Sequence, residues 1–378
     1  MGFGKRNVVK VDPFAYNICL IGEGGIGKTT LIKQFCEKYL GEDGYIFAEC
    51  GKEDGADAIS GINYVNCPDW NSEYDELDNS VGFKLLIEDI LENKDTDYPN
   101  LKVLVVDTYN QLRAIAEPEI VRQHNKLHPD KKCTSINGAF GGYGKGEEKC
   151  DEMILDMLWS LKNVGVHFIV IGHVKQRDVT DIASGEQYTQ LTTDMAIKSF
   201  NALKTKLHFL GVASIDREIV KKKKAEGDKK AKGHVTSEAR RITFRDDNYA
   251  IDSKSRFADI APECEMTAEA LYQTLVDAIE AEASKGVGGL KAAQKAQKTY
   301  DAAKAKKASE FSDNLRENPV DEERNAELIE VIKTGFKETE DEEIKARIKA
   351  AIKENGGKIS EMVSCPTATL EELAALFD

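Results

Sequence analysis

The segment Gly22-Glu23-Gly24-Gly25-Ile26-Gly27-Lys28-Thr29-Thr30 brings four glycines, a lysine and two hydroxyls into nine residues. Glycines at this density let successive backbone N–H groups turn inward and form a concave cradle for anionic oxygens. The spacing fits G-x-x-x-x-G-K-[ST], a phosphate-binding loop. An apolar run, NICLI (17–21), precedes it and LIKQFCEKYL follows. The loop is therefore predicted to leave a strand and open a helix, whose N-terminal partial charge favours phosphate. In that setting residues 22–30 contact a nucleotide, ATP in the simplest case. Lys28 reaches its β- and γ-phosphates, and the Thr29 hydroxyl completes a Mg²⁺ shell.

Hydrolysis also needs a carboxylate for the metal and a group to orient water. Asp107 ends the run Leu101 to Val106, which places it at the C-terminal tip of a buried strand, where doubly wound sheets bind ligands. It is predicted to hold Mg²⁺ through water. The next residue is Thr108 rather than glutamate, so the base must come from elsewhere. Glu49 closes the strand GYIFAE and is expected next to the nucleotide strand at the same sheet edge; Glu53 is the second candidate. The strand VHFIVIGHV (166–174) delivers His173, followed by Lys175 and Arg177. A polar side chain at that tip can touch the γ-phosphate and report its loss. Plainer roles compete: a helix cap for Asp107, a solvated loop carboxylate for Glu49, a structural histidine for His173.

These residues need a scaffold, and the hydrophobic pattern supplies one. Short apolar runs at 17–21, 44–49, 62–66, 101–107 and 166–174 alternate with helical spacing at 80–92, 111–124 and 149–163. Such alternation predicts an α/β fold with a mostly parallel sheet covered on both faces. Residues 205–220 and 240–251 read as two strands around a charged turn, a hairpin on or beside the sheet. The organisation predicted is an N-terminal extension (1–16), an ATPase domain (17–262), a helix and Ala/Lys-rich linker (263–324) and a small helical module (325–378). Residues 286–318 are expected as a linker or exposed helix, hardly a core element.

Taken together the motifs resemble the RecA-like branch of P-loop ATPases: a strand and Walker A loop, IFAE ending at Glu49, VLVVD ending at Asp107, and IVIGH ending at His173. The resemblance covers about 17–260 and is nearest to phage nucleotide-binding proteins grouped with the Sak-type single-strand annealing ATPases. RRITFRDDNYAIDSKSRF (240–257) also resembles the hairpin that ends that family's core. The resemblance implies a homo-oligomer, ring or filament, acting on single-stranded DNA, with a single-strand-binding or other recombination protein as a further partner. It implies DNA-facing loops at 137–148, glycine-rich and mobile, and at 176–198. Neither is strongly basic; Tyr143 and Tyr188 are the residues there that could stack on bases.

The basic residues lie elsewhere. Between 221 and 241 stand seven lysines (Lys221, Lys222, Lys223, Lys224, Lys229, Lys230 and Lys232), with Arg240 and Arg241, against three acidic residues, in a chain of net charge −14. Local positive charge on an acidic protein is what phosphate-backbone contact requires; a solvated hairpin tip is the plainer alternative. A ring helicase or packaging motor shares the core and would use a trans finger, for which Arg245, Lys254, Arg256 and Arg217 are candidates. A nucleotide-gated scaffold with little turnover is the third class. A GTPase is disfavoured, because Asn93-Lys94-Asp95-Thr96 and Asn125-Lys126-Leu127-His128 both lack the guanine-reading aspartate.

Composition bounds the rest. With 378 residues, 41% apolar and 31% charged, the chain predicts two or three soluble domains. No run reaches the roughly 20 apolar residues of a membrane span, and MGFGKRNVVKVDPFAY has no secretory apolar stretch. Eight scattered cysteines without a C-x-x-C pair predict reduced thiols and a cytoplasmic setting, that of a bacterial host if a phage encodes the chain.

Overall fold

The computed structural model describes residues 4, 6–181, 184–222, 232–246, 250–355 and 357–377. Strand β1 (Ile18–Gly22) runs into helix α1 (Lys28–Leu40), and β2 (Tyr45–Cys50) and β3 (Tyr64–Cys67) follow. Next come α2 (Phe83–Glu92), β4 (Val103–Asp107), α3 (Tyr109–Leu127) and α4 (Lys145–Ser160). Then β5 (His167–Thr180), β6 (Gln187–Thr193), α5 (Ile197–Lys204), β7 (Phe209–Lys222) and β8 (Lys232–Thr243) complete most of the sheet. The short strands β9 (Lys254–Ser255) and β10 (Glu263–Glu265) precede five helices, α6 (Ala268–Ser284), α7 (Gly289–Glu317), α8 (Glu322–Glu338), α9 (Glu342–Glu354) and α10 (Thr367–Ala374).

The strands form one sheet in the order β10-β8-β7-β1-β5-β4-β2-β3, with β6 on β5 and β9 on β7. Pairing is parallel from β7 to β3 and antiparallel for β6, β8, β9 and β10. This is an α/β P-loop fold, with β5 inserted between the phosphate-loop strand and the Asp107 strand. β1 and β4 are buried along their whole length because helices cover both faces, which is why they read as unbroken apolar runs. One face packs α2, α3, α4 and α5 around residues such as Phe83, Leu112, Leu158 and Phe200. The other packs α1 and α6 around Phe35, Phe47, Phe209 and Leu275.

Several sequence expectations change here. β2 does not neighbour β1: β5 and β4 lie between them, so Glu49 shares the sheet edge with the loop from three strands away. Chain order suggested adjacency, but the crossovers place β4 and β5 inside β2. Residues 176–198 are not a loop. β5 runs on past His173 to Thr180 and pairs antiparallel with β6, with Val179 opposite Tyr188 and Gln176 opposite Leu191, while Val174 and Leu191 pack against the core. Of the 137–148 segment, residues 145–148 already belong to α4, and the remainder is a short turn closed onto α3, with Ala139 and the preceding Ile136 buried and the Phe140 N–H donating to His124 Nδ1 at 3.0 Å.

Pro262 ends no domain. Its carbonyl accepts from the Phe244 N–H at 2.8 Å, β10 pairs β8, and α6 buries Leu271, Leu275 and Ile279 against the sheet. Of the two alternatives for 286–318, linker or exposed helix, the structure has the helix, and it is partly docked. α7 is one 29-residue helix whose small residues allow close approach: Ala308 joins the core and the buried Ser312 hydroxyl donates to the Leu91 carbonyl at 2.7 Å. The pattern hides this because alanine and serine carry little hydrophobicity. Residues of α8, α9 and α10 share a third, separate cluster built on Ile332, Ile348 and Leu370.

Candidate functional site

Four neighbouring strand ends compose the site. Gly22 pairs with His173 across β1 and β5, Asp107 with Ile171 across β4 and β5, and Glu49 with Asp107 across β2 and β4. The row therefore runs from loop glycine through histidine and aspartate to glutamate along one edge of the sheet.

Backbone geometry fixes the loop. Gly27 caps α1 with φ +100°, a left-handed conformation that favours glycine. A Cβ on Gly22 would stand 2.9 Å from the Ala213 Cβ and 3.0 Å from its carbonyl oxygen on the adjacent β7, so a side chain there would push two strands apart. Glu23, Gly24, Gly25 and Thr30 are exposed, whereas Ile26 packs under the loop beside Ile18 and Leu31. Lys28 is 6% exposed. Its Nζ donates to the Gly22 and Glu23 carbonyls at 3.0 and 2.9 Å. Burial lowers its pKa, and the carboxylates of Asp107, Glu53 and Asp194 oppose that. Thr29 Oγ1 donates to Asp107 Oδ2 at 2.6 Å, bringing the two predicted metal-supporting groups together. Burial raises the Asp107 pKa, against the Thr29 hydrogen bond.

Glu49 is 4% exposed. Its Oε1 accepts from the Ala56 N–H at 2.7 Å, while Oε2 is buried without a hydrogen-bond partner. Burial is the main cause of its raised pKa, with the Ala56 and Gly55 N–H groups opposing it. An unpaired buried carboxylate oxygen costs roughly 1–3 kcal/mol, so the position is unfavourable for folding alone. Glu53, the second candidate base, accepts from Thr108 Oγ1 at 3.1 Å and lies 3.4 Å from His173 Nε2. His173, Glu53 and Thr108 thus form a chain beside Asp107.

Two residues at this edge were not singled out for it from sequence. Arg240, counted above only among basic residues, donates through Nη1 to the Ile26 carbonyl at 3.0 Å. Asp194 accepts from Asn110 Nδ2 at 2.5 Å and its charge acts on Lys28. No motif marks either of them; their positions follow from the β5–β6 and β7–β8 pairings.

Other candidates lie apart from this row. Lys254 Nζ donates to the Lys204 carbonyl, and Arg256 donates to the Thr205 and Leu207 carbonyls, so both tie down the chain around the end of α5. Arg245 is exposed, and Arg217 pairs with Glu238 at 3.5 Å. Lys221 and Lys222 close β7; Lys223, Lys224, Lys229 and Lys230 lie outside the described residues. Tyr143 is fully exposed and Tyr188 sits on β6. Among the described residues every cysteine is a free thiol, no cluster of metal-ligating side chains occurs, and no helix is long and apolar enough to cross a membrane.

The family model described as "AAA domain" matches residues 15–257, well over half of the chain. The chain belongs to the AAA domain family. Among solved structures it is similar to the KaiC-like protein PH0186 from the hyperthermophilic archaea Pyrococcus horikoshii OT3, at 16% identity over 66% of this chain and 85% of that one, with a TM-score of 0.33. No curated protein matches it. The AAA domain matched here holds every strand end of the row, so its P-loop ATPase machinery lies within one continuous family match.

Proposed function

We propose that this AAA domain binds ATP with Mg²⁺, hydrolyses it with Glu49 orienting the attacking water, and works as a homo-oligomer on single-stranded DNA in phage-type recombination, annealing or replication. The observation that carries the catalytic part is the buried, unpartnered Glu49 Oε2 one strand from Asp107. A carboxylate kept dry and half-satisfied has an acceptor free for a water proton.

The residues fit the nucleotide and the ion. The loop's N–H groups and Lys28 suit phosphate oxygens, and the Thr29 hydroxyl with the Asp107 carboxylate is a hard oxygen set of the kind Mg²⁺ takes. Bound there, Mg²⁺ would offset phosphate charge. Lys28 exchanges its loop carbonyls for phosphate oxygens, Asp107 stays ionised beside it, and Glu49 accepts the proton of water. His173 reads the phosphate end of the site and passes its state to Glu53 and Thr108.

The DNA part is supported by the hairpin. β7 and β8 pair from Val212–Thr243 out to Lys222–Lys232, and in sequence the lysine-rich stretch joins the far ends of these two strands. Arg240 joins the base of this hairpin to the loop that would hold ATP. The deciding experiment is ATP hydrolysis by the purified protein with Mg²⁺, with and without single-stranded DNA, at low and moderate salt. Stimulation that fades with salt is expected. Turnover indifferent to DNA would remove the polymer and leave a nucleotide-gated scaffold with a protein partner.

A further inference from the structure

Parallel strands have two ends, and the end opposite the phosphate-binding loop also carries charge. There the starts of β5 and β7, the segment before β1 and the helix α7 enclose a cavity of about 890 Å³. Lys10, Lys162, His167, His208, Tyr300 and Lys304 line it. Strands of five residues separate this cavity from the loop by roughly 17 Å, so it is a different place from the ATP site.

Its carboxylates are already engaged. Asp12 pairs with Lys102 at 3.6 Å, Asp95 with Arg316 at 2.8 Å, and Asp301 accepts from Gln297 Nε2 at 2.6 Å. Lys94 donates to the Tyr98 and Pro99 carbonyls. That leaves Lys10, Lys162 and Lys304 with no carboxylate partner among the described residues. Lys10 lies 4.3 Å over the Tyr300 ring and Lys162 3.3 Å over the Trp159 ring, contacts that hold an ammonium without neutralising it. His167 Nδ1 is buried and unpartnered. His208 Nδ1 accepts from the Asn17 N–H at 3.1 Å, which puts the ring proton on Nε2 as a donor.

We propose that this cavity is a second binding site, for a small phosphate-bearing molecule. Three ammonium groups without an ion pair, from three parts of the chain, outnumber Asp301, the lining carboxylate held only by a neutral amide, and with the two imidazole rings they suit a multiply charged tetrahedral anion better than a neutral ligand. The volume falls within the ~300–1,000 Å³ typical of small-molecule sites. Burial is the main cause of lowered pKa values here, Lys162 to about 8 and His167 to about 3, and like charge adds to it, from Lys10 on both and from Lys162 on His167. An anion relieves that repulsion. It also bridges the N-terminal segment, the sheet and α7, already linked by the Val11 N–H donating to Gln297 Oε1 at 3.1 Å. Occupancy therefore fastens α7, the helix that leads to the C-terminal cluster.

The test is calorimetric titration of inorganic pyrophosphate into the full-length chain carrying Lys28→Ala, which disables the phosphate-binding loop. Binding is expected to persist, to fall at least tenfold when Lys162→Ala and Lys304→Ala are added, and to be largely restored by Lys162→Arg with Lys304→Arg. The same alanine pair in the Lys28 chain should leave ATP binding at the loop unchanged, which separates this site from the ATPase assignment and shows that the fold survives. No pyrophosphate binding in Lys28→Ala, or binding indifferent to the alanine pair, overturns the proposal. So does a short single-stranded oligonucleotide that displaces pyrophosphate here and binds more tightly.

Discussion

Arg240 on β8 and Ile26 in the phosphate-binding loop are joined by a single hydrogen bond of 3.0 Å, although 214 residues separate them in sequence. The same guanidinium nitrogen lies 3.6 Å from where a Cβ on Gly27 would stand, so the arginine closes one side of the loop. Any tilt of the β7–β8 hairpin therefore pulls on the loop backbone. Arg240→Ala should weaken ATP binding modestly, about two- to tenfold, the size of one exposed charge-assisted bond. Its larger effect should be on coupling: DNA stimulation of hydrolysis should fall by more than basal hydrolysis does. Nucleotide titration and paired assays with and without DNA measure both, and stimulation unchanged in the variant would dissociate the hairpin from the loop.

Glu49→Gln should separate catalysis from stability. Hydrolysis is expected to drop by roughly 100-fold or more, the scale of losing a general base, with ATP binding retained. Burial holds the Glu49 pKa above its ordinary value, so the folded protein takes up this proton more readily than the unfolded chain. Ionised Glu49 then costs stability in full above its raised pKa; the cost fades as pH falls through that pKa and is gone below the unfolded value of about 4.3. The variant should melt higher than the parent at about pH 8 and converge with it near about pH 4. For the same reason the parent's hydrolysis should fall off in acid at a pH above the usual carboxylate range. A variant that hydrolyses ATP at the parental rate would remove Glu49 from the water.

How legible this was depends on what each residue needed. Lys28, Thr29 and Asp107 could be read from sequence because a phosphate cradle and a buried strand tip have local signatures. Glu49 could be read as a strand-end carboxylate but not placed, since its distance from the loop depends on the order of crossovers. Arg240 and Asp194 were invisible as site residues: each reaches the loop's surroundings by long-range strand pairing that leaves no periodicity. The docked face of α7 was missed because alanine and serine mark close packing only when the partner surface is known.

Charge on the hairpin turn gives a quantitative expectation. Each lysine that touches a DNA phosphate contributes roughly 0.7 to the slope of log affinity against log salt for a single strand. Replacing Lys221 to Lys224 by alanine should therefore flatten the slope by about two to three units and weaken binding about equally for all sequences. Fluorescence anisotropy with a labelled oligonucleotide at several salt concentrations measures this. An unaltered slope would move the DNA contacts off the hairpin.

Truncation tests whether α7 belongs to the ATPase body. A chain ending at Asn318 keeps Ser312 on the Leu91 carbonyl and Arg316 on Asp95 at 2.8 Å. It loses the α8–α10 cluster, which Glu322 ties to Lys84 of the sheet body at 3.5 Å, a half-exposed ion pair worth little. That chain should melt close to the parent and bind ATP as tightly. A chain ending at Lys285 lacks α7, and with it Ala308 and the half-buried Phe311 and Leu315 that pack on the core, so the surface they cover is laid open. Losing the packing of two large side chains, at about 1.5–3 kcal/mol each when fully buried and discounted for their partial burial, predicts a loss on the order of 3 kcal/mol and a melting temperature lower by several degrees. Calorimetry on the two chains decides it: equal melting would mean that α7 lies on the body without supporting it.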